Sequence, residues 1–221
     1  MIGQALKTAV NAVNLTQATT DFYFPKGTWC SLFAPTVGDC LYFSQSQKYT
    51  LPSRINESFV HLREGFVVPM QDATTLGART TVDLQNAPID LHILGSFRVP
   101  GILNWQAEGL YVNDDGFTTD LQGNVNQYYI KTTYSQTRGE TVTIQVNQQM
   151  VATNYFNAST NCSSVNSADT LQNIYIYNAT AFKQHDIFTV SVAYDDDIGT
   201  YQSIGTAFFD APTNRIIYDA T

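Results

Sequence analysis

The sequence predicts an all-β protein. Three observations carry this reading. Apolar and polar residues alternate with period two in segment after segment, and turn-forming residues recur at roughly ten-residue intervals. The polar surface is supplied by Asn, Gln, Thr, Ser and Tyr, since charged residues make up only 14% of the chain, too few for the Glu- and Lys-rich faces of helices. Many short strands at this spacing point to antiparallel β-sandwiches. A chain of 221 residues is long enough for one large or two small domains with a substantial core.

Residues 1–16 form a short helical or extended lead-in with Ile2, Leu6, Val10 and Val13 apolar. Phe22 and Phe24 then alternate with Asp21 and Tyr23, and Pro25-Lys26-Gly27 supplies a turn. A strand is expected at Leu41-Tyr42-Phe43. Two more, Phe59–Leu62 and Phe66–Met70, flank a tight connection at Arg63-Glu64-Gly65. Ile89–Leu94 alternates as a further strand. Gly95–Gly101 combines Gly, Ser and Pro and reads as a domain junction or long loop. Beyond it, Leu110-Tyr111-Val112 runs into the turn sequence Asn113-Asp114-Asp115-Gly116, and Tyr128–Tyr134 is expected to pair with Val142–Val146. The closing strands are Ile174–Tyr177, Ile187–Tyr194, Tyr201–Phe209 and Arg215–Tyr218. No internal repeat is present.

Charge and hydropathy exclude two partner classes. A net charge of −8, with 11 scattered basic residues, is the wrong electrostatic footprint for nucleic acid. No apolar run is long enough to insert into a bilayer.

Cys30 and Cys40 flank a stretch with Pro and Gly turn signals that can bring two strand ends into disulfide range, the alternative being two buried thiols. Cys162, in a polar run, is left over. Five Asn-x-Ser/Thr sequons make Asn14, Asn56, Asn157, Asn161 and Asn178 candidate glycosylation sites. With the low charge and the cysteine pair they indicate the secretory pathway, although Met1–Lys7 is not a signal peptide.

Catalytic constellations are not apparent. His61, His92 and His185 lack metal-ligand spacing, and His61 and His92 are expected to complete strand faces. No nucleophile elbow or phosphate-cradling glycine loop occurs. The carboxylate clusters, Asp114-Asp115 and Asp195-Asp196-Asp197, read first as turn formers. Calcium held by Asp195, Asp196 and Asp197 is the functional alternative. No other metal or cofactor is indicated. Trp29 is expected in the core, and Trp105, in an apparent loop, is the candidate for stacking on a sugar ring.

Two motifs carry a resemblance. Tyr23-Phe24-Pro25-Lys26-Gly27-Thr28-Trp29 resembles the opening of the C-terminal β-sandwich in family 31 glycoside hydrolases, the α-glucosidase group. Val60–Gln71, reading Val-His-Leu-Arg-Glu-Gly-Phe-Val-Val-Pro-Met-Gln, resembles that family's second hallmark. Gly109–Gly116 is similar to a strand–turn carrying the family's Asp-Asp-Gly, and Met1–Leu6 to the last strand of its catalytic barrel. The chain departs from the family where Cys30 and Ser31 replace the usual Tyr and Asp, and where Lys7-Thr8-Ala9 replaces the usual continuation.

The resemblance implies a lead-in over 1–16 left from a (β/α)8 barrel, a proximal C-terminal sandwich over 17–95 and a distal one over 96–221. It implies no catalytic residue here, because the family's aspartates lie in the barrel. The expected role is the non-catalytic portion of a secreted or lysosomal α-glucosidase, with Met1 internal to a longer chain. Its partner would be the barrel of the parent chain or another subunit. The alternative is a stand-alone secreted protein, structural or carbohydrate-binding, derived from that region.

Overall fold

The computed structural model describes residues 1–9, 19–34, 36–52, 59–74, 77–84, 87, 89–99, 102–113, 126–135, 141–150, 171–178, 187–196 and 199–219. Strands dominate: β1 (Leu6–Ala9), β2 (Thr19–Phe24), β3 (Gly27–Ser31), β4 (Cys40–Phe43), β5 (Gln47–Pro52), β6 (Phe59–Arg63), β7 (Phe66–Met70) and β8 (Ile89–Leu94) come first. They are followed by β9 (Ser96–Val99), β10 (Ile102–Asn113), β11 (Asn126–Ser135), β12 (Thr141–Met150), β13 (Leu171–Tyr177), β14 (Ile187–Asp196), β15 (Gly199–Asp210) and β16 (Arg215–Asp219). The only helical pieces among the described residues are two short 3₁₀ turns, Val82–Leu84 and Ala211–Thr213. The fold is all-β.

Three sheets form. A two-stranded ribbon pairs β2 with β5, and a four-stranded antiparallel sheet has the order β1-β6-β3-β4. The third sheet has ten strands in the order β11-β12-β14-β15-β16-β13-β8-β7-β10-β9. A further pairing of β10 with β11 lets its hydrogen bonding run from strand to strand and return to β10. Strands on both sides of residue 95 thus share this one sheet.

The four-stranded sheet is buried on both faces, and the sequence shows how. Along β6, Phe59 and His61 point to one side and Leu62 to the other, all buried. Phe59 packs in a cluster with Phe22, Phe24, Trp29 and Phe43. Phe24 sits at its centre, stacked on Phe43 at 5.1 Å and edge-on to Trp29 at 5.9 Å and His61 at 5.2 Å. Each fully buried ring stabilises by about 1.5–3 kcal/mol, and each well-placed ring pair by roughly 1 kcal/mol more. The Trp29 indole N–H donates to the Pro25 carbonyl at 2.9 Å, so this core tryptophan leaves no unsatisfied donor.

On the opposite face, Cys30, Leu32 and Leu62 pack with Leu94 of β8 and Tyr177 of β13. This cluster joins the four-stranded sheet to the ten-stranded one. Cys30 and Cys40 lie directly opposite each other in the β3–β4 ladder and are joined by a disulfide.

Four local expectations change. Ser96–Val99, expected within a junction or loop, is strand β9, which turns back into β10. Trp105 consequently lies on strand β10 opposite Phe97 and not in a loop. Strand β5 was not anticipated. Three pairings, β7 with β10, β8 with β13 and β12 with β14, are parallel, where only antiparallel ones were expected. Parallel neighbours need long connections, and the chain between β8 and β13 is ample for one.

The Cys30–Cys40 bridge closes a short loop, so its loss should cost roughly 2–3 kcal/mol, chiefly by freeing the unfolded chain. Urea denaturation of the oxidised protein and of a Cys30→Ser/Cys40→Ser double variant should show the variant's midpoint lowered, with a slope equal to or slightly above that of the oxidised protein.

Candidate functional site

Three groups of described side chains have chemistry to offer. The first is His61 on β6, which is 3% exposed and whose Nδ1 has no hydrogen-bond partner. Burial, with a smaller contribution from Lys7, holds its pKa down to about 4. The imidazole is therefore neutral at physiological pH. It stands edge-on to Phe24 and fills the aromatic cluster.

The second group joins β8, β13 and β16. His92 Nδ1 and the Tyr177 hydroxyl share a hydrogen bond of 2.9 Å whose donor depends on the imidazole tautomer. The His92 ring stacks on Tyr175 at 5.0 Å, and the Arg215 guanidinium lies over Tyr175 at 4.7 Å and Tyr177 at 5.6 Å. Arg215 Nε donates to the Thr213 hydroxyl at 2.9 Å, and that hydroxyl donates to the Asp210 carboxylate. Burial first, then Arg215, holds the His92 pKa down to about 4. Burial pushes the Tyr177 hydroxyl up to about 12.

Shifted titrations of this kind mark catalytic groups when they face a cleft. Here the imidazole is spent on Tyr177 and Tyr175, both inside the sheet packing. The network satisfies buried polar atoms.

The third group is the connection between β6 and β7. Arg63, Glu64, Gly65, Phe66 and Ser96 line an open cleft of about 290 Å³, near the lower limit for small-molecule sites. Arg63 lies over the Trp29 ring at 5.6 Å. The Glu64 carboxylate reaches back over Gly27, close enough that a Cβ there would sit 2.8 Å from Oε1. Gly65 has φ +87, which the two-residue turn requires and glycine alone adopts without strain. Among the described residues Glu64 is the one carboxylate lining the cleft, whereas a glycosidase site uses a pair.

Most residues singled out in the sequence are not gathered into this site. Asn14, Asn56, Asn157 and Asn161 lie outside the described residues, as do His185, Cys162, Asp114 and Asp115. Asn178 follows β13 in a left-handed conformation, φ 57. Asp195 and Asp196 end β14, and Asp197 falls outside the described residues. Among the described residues, no group of three or more His, Cys, Asp or Glu is placed to hold a metal ion, and no helix is long and apolar enough to cross a membrane. The cleft itself was missed. Its one sequence signal is the Arg-Glu-Gly connection, and Ser96 joins it only through the fold.

No protein-family model matches the sequence, and no curated protein matches it significantly. Solved structures do share its fold. A glucosidase II α subunit with bound DNJ is similar with a TM-score of 0.55 at 15% identity, over 92% of this chain and 20% of that one. The ER glucosidase II heterodimeric complex, made of catalytic subunit and the binding domain of its regulatory subunit, gives 0.54 at 16%, over 92% and 20%. A GH31 dextranase of Flavobacterium johnsoniae, complexed with glucose, gives 0.55 at 16%, over 98% and 26%. The likeness is one of fold, and it agrees with that expected of a family 31 C-terminal region. The chain spans between a fifth and about a quarter of the length of these enzymes.

The buried imidazoles make stability depend on pH. Both folded pKa values lie below the unfolded value of 6.5, so the folded state binds fewer protons. Their stabilisation is complete above pH 6.5 and is lost as the pH falls from there towards 4. Denaturation series should show stability dropping by a few kcal/mol across that window. His92→Gln should flatten part of the drop.

Proposed function

We propose that this chain is the non-catalytic C-terminal portion of an α-glucosidase-type glycoside hydrolase, a β body that braces a catalytic barrel supplied outside these residues. One observation carries the reading: 92–98% of the chain is matched by enzymes of which it covers only 20–26%. The sequence motifs support it. Tyr23–Trp29 spans the β2–β3 connection at the aromatic core, and Val60–Gln71 spans β6, β7 and the tight connection that passes between the two larger sheets.

A brace must leave apolar surface for what it braces. Met1 and Ile2 are 55% and 59% exposed, and Tyr23, Phe33 and Tyr42 are exposed on the strands and loop of the first half. These residues are the proposed contact with the barrel. The parent enzyme would cleave terminal α-linked glucose by a retaining two-carboxylate mechanism, with both carboxylates in the barrel. The disulfide supports an oxidising, secretory-pathway location, where the sequons at Asn14, Asn56, Asn157, Asn161 and Asn178 would be available for glycosylation.

The test is an α-glucosidase assay on the purified 221-residue chain and on native material that contains it. The chain alone should show no turnover of p-nitrophenyl α-glucoside, while the native material should be larger and active. Turnover by the chain alone, or native material containing only these residues, contradicts the reading.

A further inference from the structure

We infer that the cleft at the β6–β7 connection is a binding site for a neutral sugar, recognising one pyranose through Arg63, Glu64, Ser96 and Phe66. The backbone of the connection is already committed. The Glu64 N–H donates to Thr28 O at 2.9 Å, the Gly65 N–H to Leu94 O at 2.6 Å, and the Gly65 carbonyl accepts from the Glu108 N–H at 3.1 Å. Recognition therefore falls to the side chains.

Those side chains form a matched set. Arg63 supplies a planar fork of donors and Glu64 a planar pair of acceptors. The Trp29 ring supports the guanidinium from one side, and among the described residues no carboxylate pairs with it. Ser96 adds a hydroxyl, and Phe66, half-buried and packed against the cluster of Leu62, Leu94 and Tyr177, adds the apolar part of the lining. Among the described residues the cleft carries one cation beside one anion, a balance that suits a neutral polar ligand better than a phosphate, a carboxylate or an amine. Adjacent hydroxyls on a sugar ring each donate and accept, which suits a cleft lined by both a donor fork and an acceptor pair. The C–H face of the same ring suits Phe66. A volume of about 290 Å³ admits one such ring. This role is independent of the bracing function, and either can stand without the other.

The experiment is a titration of the isotope-labelled whole chain with methyl α-glucoside, followed by amide chemical shifts. Saturable shifts clustered at Glu64, Gly65, Phe66 and Ser96 are expected, with a Kd on the order of 1 mM for so small a ligand. Glu64→Gln, which keeps shape and removes charge, should weaken binding about tenfold or more. Ser96→Ala should weaken it severalfold. Thermal melts identify any variant that fails to fold, and the other variant then decides. Absence of saturation at 50-fold above the expected Kd (~50 mM) overturns the proposal. So do shifts elsewhere, unchanged affinity in both folded variants, or equal competition by glycine, which would mark a zwitterion site.

Discussion

The two-residue connection at Glu64 and Gly65 is the constraint on which the rest of the structure depends. It passes the chain from β6, in the four-stranded sheet, directly into β7, in the ten-stranded sheet. Two residues give no slack, so the sheets must pack against each other at this point. Hydrogen bonds enforce the arrangement from both sides: Glu64 N–H is held by Thr28 of β3, and Gly65 is held by Leu94 of β8 and Glu108 of β10. The turn requires φ +87 at its second residue, and only glycine supplies that without strain.

From this joint the burial pattern follows. The four-stranded sheet receives the ten-stranded sheet on one face, through Leu62, Cys30, Leu94 and Tyr177, and the β2–β5 ribbon on the other, through Phe24 and Trp29. Strands covered on both sides bury consecutive residues, which is why β3 and β6 carry Trp, Cys, Phe, His and Leu with little alternation. His61 and His92 are drawn into this packing as neutral rings. Their depressed pKa values record desolvation and not a catalytic task. The same joint opens the cleft, because the tight connection brings Arg63 and Glu64 beside Ser96.

Much of this was legible in the sequence where the signal is local. Phe22 and Phe24 alternate with polar neighbours because β2 has one buried face, and Arg63-Glu64-Gly65 reads as a turn between two apolar runs. The core position of Trp29 was equally plain. Other elements depend on partners far along the chain. Gln47–Pro52 is mostly exposed and polar, and becomes a strand only by pairing with β2. Ser96–Val99 carries loop-like neighbours, Gly95 and Pro100, yet β10 supplies it with a ladder. The parallel pairings and the His92–Tyr177 bond, 85 residues apart, leave no local trace. The cleft shares this origin in part: Arg63, Glu64, Gly65 and Phe66 form or adjoin a readable turn, but Ser96 comes from a segment whose signals argued for a junction.

The account's central claim, that Gly65 locks the two sheets together, is tested most directly by hydrogen exchange on Gly65→Ala. An added Cβ would meet Ser96 Cβ at an ordinary 3.7 Å, so the substitution strains the backbone without a steric clash. At roughly 1–2 kcal/mol for the left-handed conformation, protection should fall together at Leu62 of the smaller sheet and at Ile93 and Leu94 of the larger one. Loss of protection confined to residues 64–66, with both sheets unchanged, would contradict it.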